Sequence, residues 1–227
     1  MIVFVDLEHA RLQQEDAERG QRTYANRLRV KYRLEDIAGK PCLVMRYNHV
    51  TPERLRSLQV KALFVSGNST EFNHYAEAEL AGLRTVFREA RYPTLAFCGG
   101  CQILAQSYGA AIGPIGQLPA GIIDPAVDNS LAPGMIQERG FMPVKVVNAH
   151  PIFAGLGATP VFWESHYWEI KALPPGFALY ASTEKCKAQM IVHESRPLIA
   201  TQFHPEFYDD NHLDGQTLIA NFCRLYL

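Results

Sequence analysis

Residues 94–105, "TLAFCGGCQILA", join two apolar runs through a cysteine and a pair of glycines. The first run, TLAF, reads as a buried strand, and CQILAQSYG reads as a helix stopped by Gly109. Cys98 then stands on a sharp turn at the carboxyl end of a sheet, where open α/β folds build their sites. Gly99 and Gly100 are expected to permit the strained backbone of that turn and to let a substrate approach closely. A helix N-terminus behind Cys98 favours the thiolate. Cys101 makes the same stretch a Cys-x-x-Cys, so a redox pair or half a zinc site competes with a lone nucleophile.

Strand and helix alternate on the N-terminal side of this stretch. IVFV, CLVMRY and ALFVS read as strands, and TPERLRSLQ as a short helix with Thr51 as its cap and Pro52 at its first position. From Glu71 to Ala90 the apolar residues Phe72, Tyr75, Ala76, Leu80, Leu83, Val86, Phe87 and Ala90 recur at helical spacing. Within the polar, Arg-rich segment from His9 to about Ile37, RLRVKYR (27–33) reads as a solvated helix face, with partner docking through Arg11–Arg33 as the alternative. Beyond Gly109, residues 114–134 are rich in turn formers and read as a surface loop placed to cover a site. FMPVKVV, PVFWES, FALYAS, AQMIVHE and PLIATQF then read as short strands, and GQTLIANFCRLYL as a closing helix. Fully apolar strands alternating with helices imply a parallel sheet covered on both faces. The expected fold is α/β and three-layered: a flavodoxin-like, mostly parallel sheet, with an antiparallel extension of the same sheet from the second half. Residues 1–227 read as a single domain.

Composition narrows the function classes. The chain has 22 Lys+Arg against 23 Asp+Glu, a balance that creates no global field for nucleic acid or an anionic membrane. MIVFVDLEHA is apolar too briefly for a secretory signal, and no run approaches a membrane span. Five scattered cysteines, Cys42, Cys98, Cys101, Cys186 and Cys223, fit free thiols in a reducing cytoplasm. Cys42 and Cys223 sit in apolar stretches and read as core, as do Trp163 and Trp168.

A nucleophilic thiol needs a base. In IATQFHPEF a strand runs into His204 and Glu206, and residues two apart in extended chain point the same way. Glu206 can then orient the His204 ring while the other ring nitrogen faces Cys98, the nucleophile–base–orienter pattern of covalent catalysis. Zinc lacks a second ligand pair and a thiol redox enzyme has no use for QFHPE, which counts against both paired readings of Cys98 and Cys101. No metal or cofactor is expected.

With these residues in place, the chain resembles the class I glutamine amidotransferases, the Cys-His-Glu glutaminases. The family's Gly-x-Cys-x-Gly-x-Gln elbow matches at Cys98, Gly100 and Gln102, with Ala96 replacing the opening glycine. The family's His-Pro-Glu stands whole in QFHPE. Its Ser-Gly-Gly-Pro-Gly turn is altered to SGNST, residues 66–70, and its Ser-His step falls at Ser165 and His166. The likeness is weakest in residues 9–40. It implies that Cys98 attacks the side-chain amide of glutamine, that His204 and Glu206 complete the catalytic triad, and that backbone N–H groups of Gly99 and Asn68 form the oxyanion hole. It also implies that Gly67, Gln102, Ser165 and His166 hold the substrate, and that ammonia passes to an acceptor handled by a partner synthetase. A γ-glutamyl amide or peptide hydrolase would use the same triad, and a non-catalytic binding module on this fold is a third reading. The asparagine at 68 is expected to take a positive φ, and Ser69-Thr70 in place of Pro-Gly to leave the loop less rigid.

Overall fold

Short runs of β-branched and aromatic residues, buried on both sides, build the centre of the protein. The computed structural model describes residues 1–122, 132 and 134–227. The chain begins β1 (Ile2–Asp6), α1 (Arg11–Glu15), α2 (Ala17–Ala38), β2 (Cys42–Arg46), α3 (Pro52–Ser57), β3 (Leu63–Val65), α4 (Glu77–Glu89), β4 (Thr94–Phe97) and α5 (Gly99–Ser107). It continues β5 (Ile112–Pro114), β6 (Glu138–Pro143), β7 (Lys145–Val146), β8 (Val161–His166) and β9 (Trp168–Ile170). β10 (Phe177–Ser182), β11 (Met190–His193), β12 (Leu198–Thr201) and α6 (Asp214–Tyr226) follow. The caps behave as their side chains dictate: the Thr51 hydroxyl accepts the Arg54 N–H at 3.2 Å at the start of α3.

The main sheet runs β2-β1-β3-β4-β12-β11-β10-β7. β2, β1, β3, β4 and β12 are parallel, and β11, β10 and β7 extend the sheet antiparallel. One apolar layer, with Leu83, Phe87 and Leu104, covers one face; the other face is covered through Val30, Leu34, Leu218 and Phe222 of α2 and α6. This is the expected three-layer α/β arrangement.

Several local expectations need correction. PLIATQF is not part of the antiparallel extension: β12 lies parallel to β4, in register from Leu198↔Thr94 to Thr201↔Phe97. β6 pairs with β8 in a separate two-stranded sheet, and β5 with β9 in another. The helix expected from Glu71 starts at Glu77, after a 3-10 turn at Phe72–His74. Trp163 is half-buried and Trp168 exposed, so neither is core. Arg27 is buried among the arginines expected on a solvated face. Pro114 ends β5, and Gln117 bridges Met135, so the 114–134 segment is not loop throughout. Its reading as a site cover falls largely on residues 123–131 and 133, outside the described residues.

α6 also fixes the turn after β12. A Cβ on Gly215 would overlap the Pro205 carbonyl oxygen and crowd the Pro205 Cα at 3.1 Å. Backbone cannot yield there as a flexible side chain would. Gly215→Ala is expected to lower stability by about 1–3 kcal/mol, the usual cost of overpacking. Urea unfolding measures it, and an unchanged midpoint would refute the close packing.

Candidate active site

β4 ends at Phe97 and α5 starts at Gly99, leaving Cys98 alone to make the turn. It does so at φ 46° and ψ −110°, a strained conformation for a residue with a Cβ. Its N–H donates to the Thr201 carbonyl at 2.7 Å, and its carbonyl accepts the Gln102 N–H at 3.1 Å. The strain therefore sits on Cys98 itself, while the glycines serve close approach. A Cβ on Gly100 would press the Val65 and Ser66 carbonyl oxygens at 2.7 and 2.9 Å.

Because β12 is parallel to β4, its carboxyl end delivers His204 beside Cys98. The His204 N–H donates to the Trp163 carbonyl at 2.8 Å, tying the turn to β8. His204 Nδ1 lies 2.8 Å from Glu206 Oε1, and both side chains are buried. The ring also stands beside Cys98. Gly67 fills the gap between them, where a Cβ would meet His204 Cε1 at 2.9 Å and Cys98 Sγ at 3.5 Å. Burial by itself lowers the His204 pKa, but the Glu206 carboxylate and Cys98 outweigh it and hold the ring well above the ordinary histidine range.

Cys101 has a different setting. It is fully buried in the core, where burial pushes its thiol far up. All five cysteines are free, so Cys98 and Cys101 form no disulfide.

The other expected residues gather around Cys98. A cavity of about 240 Å³ is lined by Cys98, Gly99, Gln102, Asn68, Ser165 and His166, among others. The Ser165 carbonyl lies 4.0 Å from Cys98 Sγ. Gln102 turns its amide inward, donating to Gln202 Oε1 at 3.0 Å and to the Trp168 carbonyl at 3.3 Å. Gln202 in turn points its amide nitrogen at Cys98 Sγ, 3.6 Å away. Gln202 was missed in the sequence, although it lies two residues before His204 in an extended run.

Asn68 departs from expectation. It is not among the residues with positive φ. Its side chain donates to the Thr70 carbonyl at 2.6 Å and lies where a Gly99 Cβ would be. The loop is also well tied. Glu8 accepts the Ser69 N–H at 2.7 Å, the Thr70 N–H at 3.1 Å and the Thr70 hydroxyl at 2.7 Å.

His166, which lines the cavity with Glu138, carries its side chain into a buried acidic cluster. Nδ1 donates to the Trp168 carbonyl at 2.9 Å, and Nε2 lies 3.2 Å from Glu138 and 3.1 Å from Glu164. An imidazole with acceptors at both nitrogens is best satisfied doubly protonated. Burial lowers its pKa, but the two carboxylates beside it overcome this and raise it to about 10. Burial raises Glu164, despite the opposing pull of His166. Among the described residues, Glu138, His166 and Cys186 form the group with metal-ligand spacing, their ligand atoms within 4.8 Å of one another. Burial pushes the Cys186 thiol far up, and His166 is held as an imidazolium, so proton sharing suits this donor set better than a cation.

A family model for class-I glutamine amidotransferases matches residues 31–225. The chain belongs to that family. Among curated relatives, the glutamine-hydrolysing GMP synthase subunit of Thermococcus kodakarensis is 29% identical over 178 residues, 78% of this chain and 82% of that protein. Its counterpart in Thermoplasma acidophilum is 30% identical over 160 residues, 70% of this chain and 69% of that one. A crystal structure of a candidate GMP synthase subunit from Thermoplasma acidophilum superposes with a TM-score of 0.70 at 23% identity. It covers 99% of this chain and 94% of that one, and shares the fold. No helix among the described residues is long and apolar enough to cross a membrane.

The two raised histidines of this amidotransferase give stability a definite pH dependence. A group protonated more in the folded than in the unfolded state stabilises fully below its unfolded pKa, near 6.5 for histidine. That contribution is lost as pH rises through the folded value, about 10 for His166. The melting temperature is expected to fall between about pH 6.5 and pH 10, and less steeply in His166→Gln. Equal slopes in calorimetry would refute a charged His166.

Proposed function

We propose that this chain hydrolyses the side-chain amide of glutamine through a γ-glutamyl thioester on Cys98. Cys98 Sγ, its proton held by His204, attacks the amide carbon and forms the C–S bond as the carbonyl becomes an oxyanion. Gly99 and Asn68 offer backbone N–H groups to that oxygen. His204, kept protonated by Glu206, gives its proton to the departing ammonia as the C–N bond breaks. The neutral ring then takes a proton from water, which attacks the thioester; the C–S bond breaks and releases glutamate and the Cys98 thiolate beside the reprotonated ring. Gly67 leaves room for this exchange between Cys98 and His204. Gln102 acts through Gln202, which faces the sulfur, and Ser165 and His166 offer main-chain groups to the amino-acid end of the substrate. The observation that carries this reading is the Cys98–His204–Glu206 chain on a strained elbow, within a family of amidotransferases.

The reading takes residues 1–227 as a single amidotransferase unit, supported by a sheet that draws its strands from both halves of the chain. It places the protein in the cytoplasm, supported by five free cysteines. The ammonia goes to a separate synthetase, and the names of the GMP synthase relatives support an acceptor of that kind. The outer face of α2, where Tyr24, Leu28 and Tyr32 are exposed at four-residue spacing, is the docking surface this reading assigns.

Ammonia release from glutamine, measured beside cleavage of a panel of γ-glutamyl amides, tests the substrate. Faster cleavage of the larger amides would replace glutaminase with γ-glutamyl hydrolase. Cys98→Ala is expected to abolish turnover and labelling by a glutamine-like electrophile, whereas Cys101→Ala keeps most activity. Equal loss from both would sink the lone-nucleophile mechanism. His204→Ala should cost orders of magnitude in kcat and Glu206→Gln less, with the double variant no worse than His204→Ala. Multiplicative losses would show that the two residues act independently.

A further inference from the structure

The Gly67–Asn68 peptide is held in part by residues that lie ahead of the family-matched residues 31–225. The Gly67 carbonyl accepts Arg27 Nη2 at 2.9 Å and the Ser66 hydroxyl at 2.8 Å. Arg27 reaches it from α2, and its Nε donates to Asp6 Oδ1 at 2.7 Å at the end of β1. The paired side chains are only 9% and 7% exposed. Asp6 Oδ1 also accepts the Glu8 N–H at 3.1 Å, so one carboxylate orders both sides of the loop: Arg27 on its carbonyl, Glu8 on the N–H groups beyond.

A trans peptide is planar, and its C=O and N–H point in opposite directions. With the Gly67 carbonyl drawn toward α2, the Asn68 N–H must face the other way, toward the elbow. The Asn68 nitrogen lies 3.2 Å from the place a Gly99 Cβ would take. Turned over, the same peptide would present an oxygen where the oxyanion needs a donor.

We propose that Arg27, fixed by Asp6, is a positioning residue that sets the Gly67–Asn68 peptide with its N–H toward the oxyanion. The proposal rests on the amidotransferase reading of this loop. The chemistry calls for arginine in particular. Its rigid fork spans a carboxylate and a carbonyl at once, whereas the single ammonium of lysine cannot hold both in this geometry. Arg27 touches no reacting atom and acts only through the peptide.

The test uses the full chain as wild type, Arg27→Lys, Arg27→Met and the double variant Asp6→Asn/Arg27→Met. The double variant removes the buried charge pair together, so that no lone carboxylate compromises folding. Three quantities are measured: kcat and KM for glutamine, the rate of Cys98 alkylation by iodoacetamide, and the melting temperature. Alkylation displaces iodide at a saturated carbon and builds no oxyanion, so it reports the thiol alone. The expected result is a fall in kcat of about 10²–10³, the effect of one lost oxyanion donor, with KM and alkylation within about twofold of wild type. Arg27→Lys is expected to fall nearly as far as Arg27→Met. Folded variants that keep kcat within about threefold overturn the positioning role while leaving the amidotransferase reading intact. A parallel collapse of kcat, KM and alkylation overturns it as well, since that is general loss of structure. An inactive wild type overturns the amidotransferase reading and the proposal with it.

Discussion

The parallel pairing of β12 with β4 places the two halves of the candidate site side by side. Thr201 stands opposite Phe97, so the residues that follow each strand leave the sheet at the same end. The Cys98 N–H then closes onto the Thr201 carbonyl, making the elbow and the histidine turn one hydrogen-bonded structure. A slip of one residue would turn the side chains of β12 to opposite faces and carry His204 away from the thiol. The register is protected by burial, since every residue of both strands is buried. α6 and β8 then press on the far side of the turn, through Gly215 and the Trp163 carbonyl. The position of the base is thus a consequence of core packing as much as of any polar contact.

The buried histidines and arginine inside this frame each stand beside a carboxylate. A charge removed from water is costly unless a partner of opposite sign lies close to it. His204 has Glu206, His166 has Glu138 and Glu164, and Arg27 has Asp6. The sets do different work. In the first, the raised ring stores a proton beside a nucleophile. In the second, two carboxylates and the Trp168 carbonyl fix the His166 ring at the cavity wall. The third uses its spare donor to hold a peptide.

The elbow and the base were legible in the sequence because each combines two local signals. At Cys98 a strand period meets a helix period; at His204 a strand ends in residues that alternate onto one face. The three-layer architecture followed from the same periodicity. What escaped notice has a common physical cause: dependence on contacts distant in sequence. Gln202 acts only because Gln102, a hundred residues away, fixes its amide. Arg27 looked like one more surface arginine, since nothing local says that its side chain turns inward to Asp6. The placement of β12 in the centre of the sheet was hidden for a similar reason, as strand order is set by tertiary pairing. The separate β5–β9 and β6–β8 sheets were invisible for the same reason.

The altered 66–70 loop shows how a motif can degrade without its backbone losing definition. A proline and glycines shape such a turn by restricting or widening the allowed dihedral angles of single residues. SGNST gives up that local control, and an isolated segment of this composition would sample many conformations. Here the ordering comes from outside the loop, with Arg27 on the Gly67 carbonyl and Glu8 on Ser69 and Thr70. These long-range hydrogen bonds are buried or partly buried, where they are stronger than in water and where leaving one unmade is costly. The loop's geometry is therefore linked to the seating of α2 against the sheet, because Arg27 cannot reach Gly67 unless Val30 and Leu34 are packed beneath it. A turn defined by its own residues would be indifferent to that helix. This one is not, and the segment least like the rest of the family becomes the part on which its most altered motif depends.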